Sequence, residues 1–435
     1  MPVFRIAIAS PLRRLFDYSP PPDLPLEQLT KLRPGIRVQV PFGARQVAGI
    51  LVEVSEKSEV APKKLRAALH LIDQTPIISE SLLQLCRWAA VYYKHPLGEI
   101  LAAALPTRLR RGEAHSPITD TWWQLTIDGK GLPAGALRRA PRQARLLELL
   151  QQRGSVAAAE LPELGISAAV ARQVRDKGLA ETVEHCPPIE QASCHPGLAL
   201  NEEQALAVKA VGSAPHQFGC FLLNGVTGSG KTEVYLQLIE RTLSAGRQAL
   251  ILIPEIGLTP QTLARFQRRF SAHIVVLHSG LTDLARLQAW DAARSGRAHI
   301  VLGTRSAIFT SLRNPGLIVV DEEHDTSFKQ QEGFRYSARD LAVKRAQLEN
   351  IPIILGSATP SLESLGNALA GRYTHLRLRE RANASTLPEF ETLDIRRQLL
   401  EGGMSAALLQ AIGQELKSGN QVLLFLNRRG FAPTL

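Results

Sequence analysis

Residues 225–232 read GVTGSGKT, and no other segment limits the possible folds of this chain as narrowly. The glycines let successive backbone N–H groups curl around phosphate oxygens, and a helix starting there adds the partial positive charge of its amino end. Gly225, Val226, Thr227, Gly228, Ser229 and Gly230 would form this cradle. Lys231 would reach the β- and γ-phosphates, and the Thr232 hydroxyl would ligate Mg²⁺. At average residue usage the fixed positions recur by chance in on the order of one chain in a hundred of this length. The context is also what such a loop needs: the apolar stretch FLLN precedes it and the helix-like TEVYLQLIERTL follows. A simple glycine turn requires neither.

From about residue 198, apolar runs alternate with helical segments: 221–225, 249–254, 274–278, 299–303, 317–321 and 352–356. Continuous Val/Ile/Leu strands separated by helices predict a parallel sheet covered on both faces. The run LIVVDEEH places Asp321 and Glu322 at the end of one such strand. Asp321 would hold Mg²⁺ through its water shell, and Glu322 would orient and deprotonate an attacking water. An acidic turn at a strand end is common by itself, but paired with the upstream phosphate loop it predicts an ATPase. A further run, QVLLFLN (421–427), follows a helical stretch from Ser405 to Lys417 and predicts the start of a second α/β lobe, cut short at Leu435.

The first half reads differently. Val38, Val40, Val47, Ile50, Val52 and Val54 have strand spacing, and Leu82 to Tyr92 have helical spacing, so residues 1–110 predict a small β-rich module ending in a helix. Between 136 and 185, the segments PRQARLLELLQQRG, VAAAELPEL and SAAVARQVRDKG predict three short helices, followed by the strand-like LAETVE. That order resembles a winged helix, a fold that serves DNA contact or plain spacing. Residues 186–198 read as a linker, and Trp122-Trp123 as packing. His185-Cys186 and Cys194-His195 lack the spacing of a zinc site. Lys and Arg outnumber Asp and Glu by 51 to 40, and residues 1–113 hold sixteen basic and ten acidic side chains. This excess favours a polyanionic partner. No apolar run has the roughly eighteen residues of a membrane helix. An apolar patch ahead of two arginines is the wrong order for a secretory signal. A cytoplasmic protein without a membrane partner is expected.

With these residues in view, the chain resembles superfamily 2 helicases. DEEH is similar to their DEAD/DEAH box; PEIGLTPQ (254–261), GTRSAIF (303–309), GSATPS (356–361) and NRRGFAP (427–433) look like motifs Ia, Ib, III and IV, in order. LNEEQ (200–204) puts Gln204 where the family reads adenine. Within that superfamily the opening FDY, the stretch RPGIRVQVPFG and the run DEEHDTSFKQQEGFRYSARD resemble the PriA family of bacterial replication-restart helicases.

The resemblance implies a multidomain α/β protein: a DNA 3′-end-binding module (1–110), a winged-helix domain (111–185), a first RecA-like lobe (199–400) and the beginning of a second (401–435). It implies a 3′-to-5′ DNA helicase that recognises stalled or abandoned forks and initiates primosome assembly, using ATP and Mg²⁺. Expected partners are forked and single-stranded DNA, single-strand-binding protein and other primosome proteins. Phe16, Asp17, Tyr18, Gly35 and Arg66 would hold a DNA 3′ end, the aromatic ring stacking on the base and the carboxylate accepting from the hydroxyl. Thr259, Gln261, Thr304 and Arg305 would grip the DNA backbone. Phe328, Lys329, Phe334, Arg335 and Tyr336 would form an aromatic-rich loop against single strands, and His324, Ser357 and Thr359 would couple nucleotide state to movement. The family binds zinc through cysteines beyond motif IV, so none of this chain's residues is expected to ligate it. Motifs V and VI are expected only in a longer chain, so these 435 residues alone are expected to bind forks, hydrolyse slowly and not unwind. Two rival readings are a duplex translocase and a fork-recognition scaffold whose ATP site only sets conformation. The carboxylate pair weighs against the scaffold.

Overall fold

The computed structural model describes residues 2–425 except 59, 62–63, 116–119, 134–136, 138–139, 159, 186–191, 214–216 and 382–389. Its centre is a seven-stranded parallel sheet. Across the sheet the strands run Ile274–Leu277, Ile300–Gly303, Gln248–Leu252, Pro315–Val320, Pro352–Ser357, Gly219–Gly225 and Thr374–Leu378. Six of these are the apolar runs expected above. Nearly every residue of the inner strands is buried, as a sheet covered on both faces requires. Thr374–Leu378, a polar-flanked edge strand beside Gly219–Gly225, carried no comparable signal in the sequence.

Two cores form on the two faces. One holds the helix Lys231–Ser244 with helices Glu202–Gly212 and Pro260–Arg269. The other holds helix Ala338–Glu349 together with helices Glu80–Tyr92 and Leu97–Ala103 of the first module. The first module therefore shares its hydrophobic core with the parallel sheet. Its own antiparallel sheet, ordered 16–18, 3–7, 45–55, 37–42 and 70–71, buries Phe4, Ile6, Val38, Val40 and Leu51 on its other face. Gly98 is needed where helix Leu97–Ala103 meets this sheet, since a Cβ there would sit 1.8 Å from the Ile8 carbonyl oxygen.

Residues 120–185 make a separate core of their own around Trp123, Leu146, Leu150 and Val174. Helices Pro141–Arg153 and Ala168–Asp176 form as expected, the second capped by Ser167. The expected middle helix does not form. Ser155–Ala157 instead pairs with Trp122–Gln124 in a three-stranded sheet completed by Ala180–His185, and turns follow it. An Ala-rich segment has strong helix propensity, but pairing with an open strand edge outweighs it here.

Residues 384–435 form a second compact unit. Ser405 caps its helix Ala406–Lys417 as anticipated. Residues 421–425 carry no strand, unlike the expectation for QVLLFLN, and 426–435, with NRRGFAP, lie outside the described residues. A strand needs a partner for its ladder, and none reaches this one among the described residues. Among the described residues no helix is long and apolar enough to cross a membrane.

Arg37 and Arg345 are the largest fully buried side chains among the described residues; Arg37 lies in the first module. Its guanidinium donates to both Asp73 carboxylate oxygens at 2.8 and 2.7 Å and to the carbonyls of Leu109 and Glu113 at 2.7 Å. It thereby ties the antiparallel sheet to the chain leaving the module. Asp73→Ala would strand this charge, and chemical denaturation should show a loss of about 3–5 kcal/mol.

Candidate nucleotide site and DNA-facing surfaces

The phosphate loop leaves the strand Gly219–Gly225 and enters the helix Lys231–Ser244 through Gly230, whose φ of 80° is left-handed. Gly228 has the same φ of 80°. Lys231 Nζ donates to the Gly225 carbonyl at 2.9 Å, folding the side chain back over the loop. Val226, Thr227 and Gly228 are exposed, and the buried Ser229 Oγ has no hydrogen-bond partner among the described residues. The loop is thus open to a ligand along one side and holds an unused hydroxyl inside. Gln204 is buried against it. Its amide accepts from Asn201 N at 3.0 Å and donates to the Ser229 carbonyl at 2.8 Å, so its polar atoms are engaged by the loop's own surroundings.

The order of the sheet brings three strand ends together here: Pro315–Val320 pairs with Pro352–Ser357, which in turn stands beside the loop's own strand. Asp321 and Glu322 follow the first. The Tyr235 hydroxyl, from the second turn of the loop's helix, donates to Asp321 Oδ1 at 3.1 Å. Burial, then the Glu322 charge, push the Asp321 carboxyl above the ordinary aspartate range, against the pull of Tyr235 and Lys231. Burial likewise pushes the Tyr235 phenol well up, so it stays a donor. Two hard oxygen groups, the Thr232 hydroxyl and the Asp321 carboxylate, suit a divalent cation of the Mg²⁺ kind. The second strand end supplies Gly356, where a Cβ would fall 1.6 Å from the Tyr235 hydroxyl. Only glycine lets that ring cross.

A second set of contacts links the same segments. His324 Nδ1 lies 2.7 Å from Ser357 Oγ, which also accepts from Thr359 N at 2.9 Å. Glu323, 2% exposed, accepts from Ser361 N, Ser361 Oγ and Ser364 Oγ at 2.7, 3.0 and 2.8 Å and from Arg339 Nη1 at 3.2 Å. A buried carboxylate with four donors fastens the acidic segment to the one after Ser357 and, through Arg339, to the segment 328–339.

That segment is not laid out as the sequence suggests. Phe328, Phe334 and Tyr336 are all buried. Phe334 stacks on Tyr336 at 4.8 Å and meets Tyr93 and His95 of the first module at 5.8 and 5.0 Å. Tyr336 packs edge-on to Phe309 at 5.2 Å. The rings face protein, while Lys329 and Arg335 remain exposed. Arg305 is spent on the same segment, donating to the carbonyls of Ser327 and Lys329 at 2.9 and 3.3 Å. Thr259 caps helix Pro260–Arg269, Gln261 is exposed and Thr304 is buried.

In the first module, Phe16, Asp17, Tyr18 and Arg66 line one cleft of about 440 Å³ with Arg5, Arg14 and Lys64. Four cations around one carboxylate suit a nucleic-acid phosphate. Asp17 accepts from Ser58 Oγ at 2.6 Å, and Arg14 lies over the Phe16 ring at 5.1 Å. Gly35 is elsewhere: it is buried with φ 97°, and a Cβ would meet the Ile78 carbonyl oxygen at 2.2 Å. A different glycine, Gly43, is exposed, with φ 60° and open space about it, and its carbonyl accepts from Arg66 Nη1 at 3.5 Å.

Two family models match separate parts of the chain: the PriA 3′DNA-binding domain (3′BD) over residues 5–106, and the DEAD/DEAH box helicase over 201–368. The chain is 45% identical to the replication restart protein PriA of Haemophilus influenzae, over all of this chain and 60% of that protein. It is 32% identical to that of Bacillus subtilis, over 96% of this chain and 61% of the relative. The chain belongs to the PriA family.

It spans about three-fifths of the length of these PriA relatives. Among solved structures, RecG bound to a three-way DNA junction matches 43% of this chain and 25% of that one at 22% identity and a TM-score of 0.35, too distant to add to the PriA assignment. Tyr235, Glu323 and Gly43 were not singled out as PriA-family site residues by their sequence alone. Each lies inside or beside a motif, but its role depends on contacts across the fold. Gly356→Ala should displace Tyr235 and cut ATP hydrolysis roughly a hundredfold. Gly366→Ala, where nothing lies within 4 Å, should leave the rate unchanged.

Proposed function

We propose that this chain binds MgATP between Gly225–Thr232 and Asp321-Glu322, and that in the whole protein hydrolysis drives a DNA helicase acting at stalled or abandoned replication forks. The observation that carries the reading is the convergence of a complete phosphate loop and the carboxylate pair at strand ends separated by one strand, bridged by Tyr235.

In this reading Lys231, freed from the Gly225 carbonyl, takes up the β- and γ-phosphates with the loop's N–H groups. Thr232 and Asp321 hold Mg²⁺, which would neutralise developing charge on the phosphates. Glu322, held at φ 48°, takes the proton from the attacking water. His324 and Ser357 pass the state of the site to the segment beginning at Ser357. Gln204 reads adenine after exchanging its bond to Ser229.

The DNA side rests on the cleft at Phe16–Tyr18, where Phe16 stacks on a terminal base and Asp17 accepts from a 3′-hydroxyl in place of Ser58. Arg66, held by the Gly43 carbonyl, lines that cleft with Lys64. The exposed Lys329, Arg335 and Gln261 face the strand, with Thr259, Thr304 and Arg305 behind them. Phe328, Phe334 and Tyr336 support base stacking only after leaving their core. The domains of this reading are 1–110, the winged helix 111–185, the first lobe 199–400 and the start of the second 401–435, and the separate core within 120–185 supports the second of these. Single-strand-binding protein and other primosome proteins are the expected partners, in the cytoplasm, with 3′-to-5′ polarity. The family's zinc falls to cysteines outside this chain.

Phosphate release by the protein at the full length of its relatives tests this with no DNA, with single strands, and with forks bearing or lacking a 3′-hydroxyl. DNA should stimulate release, forks with the hydroxyl most, and Lys231→Ala should abolish it. Equal rates on every DNA would contradict the motor reading.

A further inference from the structure

Helix Pro260–Arg269, PQTLARFQRR, carries three arginines and no acidic residue. Arg269 and Arg265, one turn apart, both reach the loop's helix Lys231–Ser244. Arg269 is buried and paired with Glu240, and it also donates to the His195 carbonyl. Arg265 forms no ion pair among the described residues. Its Nη1 instead donates to Thr232 Oγ1 at 3.5 Å, at the very end of the phosphate cradle.

This places an exposed guanidinium beside a hydroxyl that already neighbours Lys231 and the positive end of a helix. Like charges gathered at one point, with no carboxylate to balance Arg265, repel one another until an anion arrives. A guanidinium offers planar, paired donors that match phosphate oxygens, whereas Lys231 acts as a point charge. The unpartnered Ser229 Oγ shows that the same cradle holds donor capacity not used by the protein itself.

We propose that Arg265 is a second side-chain cation for the phosphates of ATP, supplied in cis by the helix that Thr259 caps. The inference rests on the nucleotide reading above and adds a residue to it. On binding, Arg265 exchanges its long contact with Thr232 for phosphate oxygens. That frees the Thr232 hydroxyl for the metal.

The test is equilibrium binding of a fluorescent ATP analogue with Mg²⁺, without DNA, to this chain and three variants. Arg265→Gln should weaken binding about tenfold, the size expected for losing one charge-assisted hydrogen bond. Arg268→Gln, which removes an exposed arginine of the same helix, should bind as wild type and controls for net charge. Thermal midpoints should match, since Arg265 is exposed. Wild-type affinity in Arg265→Gln would overturn the inference, as would an effect confined to DNA binding or an equal loss in Arg268→Gln. Lys231→Ala separates the two levels: if it weakens binding and Arg265→Gln does not, only this inference fails. If Lys231→Ala is also without effect, the nucleotide reading itself fails.

Discussion

The Tyr235 ring crossing over Gly356 to reach Asp321 is the contact on which the site depends. It joins the loop's helix, the acidic strand end and the strand end that follows into one object. No single segment can then shift without moving the others, because a packed interior transmits displacement instead of absorbing it. The cost is a desolvated aspartate beside a second carboxylate, whose pKa is raised accordingly. Tyr235 and Lys231 offset part of that cost. A strained, charge-dense strand end is the kind of place where stability is given up for chemistry.

The second constraint is the shared core. Helices Glu80–Tyr92 and Leu97–Ala103 belong in sequence to the first module, yet they cover one face of the parallel sheet. Tyr93 and His95 follow directly and clasp Phe334, whose segment is tied back to Glu323 by Arg339. A continuous path of packed rings and hydrogen-bonded charge therefore runs from the module with the basic cleft to Glu323 in the acidic segment after Pro315–Val320. Each step on it is a physical contact.

Much of this was legible in the sequence because the signals were local. The phosphate loop needs only eight consecutive residues in the right context, and six strands announced themselves as unbroken apolar runs. Asp321 and Glu322 were placed by the strand before them. What stayed hidden was tertiary. Tyr235 reads as one more apolar helix residue until its hydroxyl meets Asp321. Gly35 and Gly43 both sit in turns at either end of the strand Arg37–Phe42, and only the fold shows that the first packs on Ile78 while the second meets Arg66. The aromatic residues at 328, 334 and 336 look like open stacking faces because their cover comes from far away in sequence: Tyr93 and His95 pack on Phe334, and Phe309 on Tyr336. Residues 155–157 carry helix propensity and became a strand because Trp122–Gln124 offered a free edge.

The most direct test is a Glu322→Gln protein mixed with MgATP in a single turnover, with bound nucleotide and released phosphate measured together. The account predicts nucleotide held at least as tightly as by wild type, with phosphate release slowed by orders of magnitude, because the cradle is intact and only the base is lost. Phosphate release at the wild-type rate would show that hydrolysis does not take place between this loop and this carboxylate.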